Sequence, residues 1–127
     1  MAAEERARIR HIAIGAKDTA ELAEFYKSTF GMHEVSRLDH ANGLAIFISD
    51  GDINVAILPC PKATGGKEGI LHFGFHVADA DKIGRIAEAA GATERNLPRP
   101  RDGRFAESGI KDPVGTTVDL SEGGWPT

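Results

Sequence analysis

The chain has 127 residues, 41% hydrophobic and 27% charged, which is the balance of one ordinary globular domain large enough to bury a core without disulfides. Its net charge of −4 gives no global field for nucleic acid or an anionic membrane, and its single cysteine, Cys60, excludes an intramolecular disulfide. The opening MAAEERARIR carries charges and no apolar stretch behind them, and no later run is long enough to span a bilayer, so a cytoplasmic protein without membrane or nucleic-acid partners is expected.

In chain order, the first legible element is HIAIGAKD, His11 to Asp18, an alternating strand that ends on a candidate helix N-cap. A helix follows in TAELAEFYKSTFG, with Leu22, Phe25, Tyr26 and Thr29 on one face and Gly31 as the residue that ends it. Strands are expected near Met32 to Leu38, Leu44 to Ser49 and Ile53 to Leu58, with turns at Asn42-Gly43 and Asp50-Gly51. The stretch from Pro59 to Gly69 is rich in proline and glycine and reads as a flexible linker. The pattern then begins again. HFGFHVAD, His72 to Asp79, repeats the first strand and cap at an offset of 61 residues (72 minus 11). ADKIGRIAEAAG repeats the helix, with Ile83, Ile86, Ala87 and Ala90 on its face and Gly91 at its end. Strands near Thr93 to Asn96, Arg104 to Gly109 and Thr116 to Ser121 complete the second half, with turns at Asp102-Gly103 and Asp112 to Gly115. Each half therefore reads strand, helix, strand, strand, strand. The expected organisation is one domain over 1–127, with modules at about 8–58 and 70–121 and a linker at 59–69.

Period-two alternation assigns faces. Ile12, Ile14 and Ala16 should cover the first helix, and Phe73, Phe75 and Val77 the second, with Val118 and Leu120 beside them. His11, His72 and Asp119 then fall on faces turned away from the helices, and two curved units side by side would make that face concave. Two imidazoles and a carboxylate are donors for a divalent ion with open coordination positions. Each also has an ordinary alternative, as a hydrogen-bonded strand histidine or a turn cap.

These strings, together with AEFYKSTFGM and IKDPVGTTVDL, resemble the vicinal oxygen chelate superfamily. That group includes glyoxalase I, bleomycin resistance proteins, extradiol dioxygenases, fosfomycin-resistance enzymes and methylmalonyl-CoA epimerases. The resemblance implies an α+β fold of two tandem βαβββ modules, with curved mixed sheets around a concave cavity and helices outside. It also implies metal ligation by His11, His72 and Asp119, the last standing where the family usually has Glu. The fourth family position falls near Ala56, or one residue on at Ile57, and neither binds a metal. The implied cofactor is a divalent metal ion, Fe(II) or Mn(II) ahead of Zn(II) or Ni(II). The implied function is a metal-dependent enzyme acting on a small substrate that chelates through vicinal oxygens, leaning to Fe(II) dioxygenase chemistry. Lyase, isomerase or thiol-transferase chemistry on the same site is the alternative, and a metal-free binding protein for a drug or metabolite is the alternative of another class. Family members of this length imply a homodimer with the site at or near the interface.

Further candidates come from position. His76 shares a face with His72 and could orient substrate or move a proton, and Glu107 is a second proton carrier. Phe47, Phe105 and Trp125 could line the site. Arg101 and Arg104 lie in an arginine-rich stretch, Arg95 to Arg104, which could hold a substrate anion but is expected as a solvated loop. His33 and His40 are expected to be exposed, and Tyr26 to pack under the sheet.

Overall fold

The computed structural model describes residues 6–40, 43–60, 66–101 and 104–127, with side chains for all of these except 40, 97–101 and 104–106. The elements are β1 (Arg8–Ala16), α1 (Thr19–Phe30), β2 (His33–His40), β3 (Gly43–Ser49), β4 (Asn54–Pro59), β5 (Gly69–His76), α2 (Ala80–Ala89), β6 (Thr93–Arg101), β7 (Arg104–Lys111) and β8 (Thr117–Ser121). The fold is thus α+β, with βαβββ written twice. The chain divides into two compact units. One holds His11–Leu71 with Pro126–Thr127, and the other His72–Trp125 with the N-terminal residues through Arg10.

In the first module the strand order is β2-β3-β4-β1. β1 and β4 pair in parallel, with His11 opposite Asn54 and Ala13 opposite Ala56, while β3 runs antiparallel to both β2 and β4. Parallel pairing needs a long crossover, and α1 with the β2-β3 hairpin supplies it. Asp18 caps α1 by accepting from the Glu21 N–H at 2.9 Å, and Gly31 ends it in the left-handed conformation at φ 73°. The Asp50 turn is built by its Oδ1, which accepts from the N–H groups of Asp52 and Ile53, both at 2.8 Å. The core is Ala16, Ala23, Ile46, Ile48 and Ile57, with Leu22, Tyr26 and Val55 packed against it.

The second module repeats the plan in the order β5-β8-β7-β6. β5 and β8 pair in parallel, with Gly74 opposite Asp119, and β7 lies antiparallel to β8 and β6. Asp79 caps α2 through the Lys82 N–H at 3.0 Å, and Gly91, just past the end, has φ 110°. Val77, Ala80, Val118 and Leu120 form the core, with Ala7, Phe73, Phe75, Ile83 and Ile110 around it.

Three expectations need correction. Each helix turns inward only part of the expected face: Leu22, Tyr26 and Ile83 pack on the cores as expected, and Phe25, Thr29, Ile86 and Ala90 do not. Thr19, Leu22, Ala23 and Tyr26 face the sheet on α1, and Phe25 is 50% exposed. On α2 Ala80, Ile83 and Gly84 face inward, and Ile86 is 49% exposed. Small residues at Ala23 and Gly84 let each helix approach, so bulk alone misled the face assignment. The arginine-rich stretch is not a loop but runs through β6 into β7. Its prolines are tolerated because β6 is an edge strand among the described residues, paired with β7 in a register broken at several places. Finally, Pro59 and Gly69, expected in the linker, are strand residues of β4 and β5.

Candidate functional site

In the second module the face turned from α2 is carried by β5, β8 and β7. Alternation places His72, Gly74 and His76 on it from β5, Asp119 and Ser121 from β8, and Glu107 and Gly109 from β7, because Gly109 pairs with Asp119 and Glu107 with Ser121. His72 Nε2 lies 2.9 Å from Asp119 Oδ2, with the two side chains 21% and 15% exposed. Asp119 stands between two glycines. A Cβ on Gly74 would lie 3.3 Å from the Asp119 Cβ, and one on Gly109 would lie 3.7 Å from its Oδ1. Neither of these neighbours puts a side chain of its own against the short carboxylate. A cavity of about 290 Å³ opens here, lined by Glu94, Asn96, Glu107, Lys111, Thr117 and Asp119 among others.

Glu107 accepts a hydrogen bond from the Trp125 indole N–H at 3.0 Å. His76, at the other end of the strand, meets the Glu122 carbonyl through Nε2 at 2.8 Å, and its ring lies against Gly124. That contact ties His76 to the C-terminal segment.

In the first module the corresponding face carries His11, Ala13, Asn54, Ala56 and Phe47. His11 is only 4% exposed, and its Nδ1 is 2.9 Å from Asn54 Oδ1. The Asn54 amide is oriented by its Nδ2–H, which donates to the Pro126 carbonyl at 2.9 Å. With the Asn54 oxygen turned toward the ring, the network places a proton on His11 Nδ1. Phe47 pairs with Ala56, which pairs with Ala13, so the half-buried Phe47 shares this face with His11. The repeat settles the fourth family position. Ala13 and Gly74 are related by the 61-residue offset; the first pairs with Ala56 and the second with Asp119, so Ala56, not Ile57, is the counterpart of Asp119. A methyl group stands where the second module has a carboxylate.

The side chains of Arg101, Arg104 and Phe105 lie outside the described residues, as does that of His40. His33 is exposed, as expected, and its Nε2 meets the Thr127 carbonyl at 2.7 Å. Tyr26 packs on the core as expected. Sequence reasoning missed Asn54, Gly74 and Gly109. Glycines inside strand patterns were the available signal for two of them, since a strand glycine marks a close approach. Asn54 offered only a polar residue at the head of an apolar strand.

The paired βαβββ modules, with a histidine and a carboxylate on the face away from the helix, define the vicinal oxygen chelate class. A family model described as the Glyoxalase/Bleomycin resistance protein/Dioxygenase superfamily matches residues 8–120, so the chain belongs to that superfamily. No curated protein sequence matches it. Among solved structures it is similar to methylmalonyl-CoA epimerase from Mycobacterium tuberculosis, at 18% identity and TM-score 0.77, over 99% of this chain and 93% of that one. A hypothetical protein from Bacillus halodurans C-125 matches at 16% identity and TM-score 0.78, over 95% of this chain and 97% of that one. A methylmalonyl-CoA epimerase in complex with methylmalonyl-CoA and NH4+ matches at 23% identity and TM-score 0.70, over 90% and 92% of the two chains. At these identities the likeness is one of fold.

Proposed function

We propose that this protein is a metal-dependent enzyme that moves a proton next to a carbonyl group of a small substrate held through two oxygens. The observation that carries the reading is the placement of Glu107 on the same face as the His72–Asp119 pair, with Glu107 and Asp119 lining one cavity. The donor set fits a metal. Imidazole and carboxylate donors would suit a divalent ion with open coordination positions, and His72 Nε2 and Asp119 Oδ2 converge to 2.9 Å. In this reading His72 and Asp119 hold the ion, with His11 as the third ligand that the family resemblance implies. The ion, when bound, polarises the substrate oxygens and lowers the barrier to losing the neighbouring proton. Glu107 takes that proton and returns it, and the Trp125 N–H fixes the orientation of its carboxylate. The epimerases of like fold favour isomerase chemistry over the dioxygenase lean of the sequence. Fe(II) oxygen chemistry is a second reading, favoured by the two-imidazole, one-carboxylate donor set.

Metal content of protein purified without chelator tests the site. Wild type should carry about one equivalent of Mn(II), Fe(II) or a similar ion, and His11→Ala, His72→Ala and Asp119→Ala well below that. Substoichiometric metal in wild type would leave the His72–Asp119 pair as an ordinary ion pair and turn the reading to a metal-free binding protein. Glu107→Gln should keep its metal and lose proton exchange with solvent deuterium by about 10²–10⁴-fold on a panel of thioester and hydroxyketone substrates. Oxygen uptake with catechols would support the second reading instead. The family resemblance also implies a homodimer, which light scattering checks.

A further inference from the structure

The C-terminal run does not leave the second module as a free tail. Gly124 is buried with φ 69° and rests on the His76 ring, its built Cβ 3.2 Å from Nδ1. Its carbonyl accepts from Ser121 Oγ at 3.4 Å. The Glu122 carbonyl meets His76 Nε2, and the Glu122 carboxylate accepts from the Ala80 N–H at 2.9 Å. With the segment held at these points, the Trp125 indole occupies the space where Gly74 has no side chain. A Cβ on Gly74 would come within 2.6 Å and 3.0 Å of two indole carbons. The same built Cβ is 3.3 Å from the Asp119 Cβ, so the indole and Asp119 are neighbours across the glycine. The indole N–H ends on Glu107, a lining residue of the cavity.

We infer that Trp125 is a specificity-determining wall. It closes the His76 end of the β5-β8-β7 face and confines the substrate to the adjoining cavity of about 290 Å³. This rests on the reading that substrate binds at that face. The class of substrate it selects is compact, with any bulky substituent directed away from the indole. Drug-sized ligands occupy pockets of roughly 300–1,000 Å³, so a cavity of this size suits a metabolite no larger than a substituted catechol or hydroxy acid. An aromatic wall of this kind discriminates by shape, with each misplaced alkyl group worth about tenfold or more.

Trp125 is the chain's single tryptophan, so its fluorescence reports the wall directly. The experiment compares wild type, Gly74→Ala, whose methyl group displaces the indole, and Trp125→Ala, which removes it. In metal-free protein, acrylamide should quench wild type about threefold or more less efficiently than Gly74→Ala. On Mn(II)-loaded protein, wild type should bind catechol at least about tenfold more tightly than 4-tert-butylcatechol, and Trp125→Ala should gain about tenfold for the bulky probe. Equal quenching in wild type and Gly74→Ala overturns the wall. So does a Trp125→Ala protein that keeps the full preference for catechol. The metal reading fails on another signal, the absence of Mn(II) uptake by wild type, and the quenching comparison still decides the wall.

Discussion

Asp119 reaches one methylene less far than the glutamate usual at its position, and the glycines beside it show how the site accommodates that. Gly74 and Gly109 flank it without side chains of their own, and the Trp125 indole takes the space over Gly74, whereas the equivalent row of the first module, Phe47, Ala56 and Ala13, carries side chains throughout. At this scale conformational demands are also single-residue matters. Gly31 sits at φ 73° with open space where its Cβ would be, so Gly31→Ala should cost about 1 kcal/mol from backbone strain alone. Urea unfolding checks this, and an unchanged midpoint would show that the helix end relaxes. That His72 and Asp119 fall on faces turned from the helix was legible from alternation in their two strands. The bond from Asn54 to His11 was not, because it depends on the register between strands 43 residues apart.

The two helices depend on their caps. Asp18→Ala and Asp79→Ala should each destabilise by about 1 kcal/mol, measured by denaturant midpoint, since each side chain accepts from a backbone N–H that the helix itself leaves unpaired. Both caps were legible from an Asp followed by an amphipathic run. The helix faces were less so, because Ala23 and Gly84 mark the contact by being small. On β2, Glu34 is held at a pKa of about 2, down from 4.5, by hydrogen bonds first from Arg37 and then from Lys27. A depressed carboxylate contributes stability that is fully present above 4.5 and lost as pH falls toward 2. Glu34→Gln should therefore flatten the stability profile in that window and leave it parallel to wild type above it. The effect is small, because the pair is at the surface and screened by water. Equal acid profiles for the two proteins would show that the ion pair contributes nothing.

The whole molecule is two modules, each with its own apolar cluster, and they are not equally filled. Among the described residues, the large aliphatic side chains less than 2% exposed are Ile46, Ile48 and Ile57, all in the first module. Ile57→Ala should cost about 2–5 kcal/mol by leaving a cavity between sheet and α1. Amide exchange should be slowest in β3 and β4, and comparable protection in β7 and β8 would contradict the difference in packing. The repeat at 61 residues made both modules legible in the sequence, down to the pairing of Leu22 with Ile83. It did not show which segment completes which core, because Ala7 precedes the first module and packs with Val77 and Val118 in the second.

That placement of Ala7 has a consequence for synthesis on the ribosome. The first module can close when β4 has emerged, since its parallel pair lies within the stretch from His11 to Pro59. Ala7, just ahead of it, finds its packing only after Val118 and Leu120 have been made. A residue made before the first module thus settles after it, and a nascent chain stalled before β8 would leave Ala7 without the cluster it packs against.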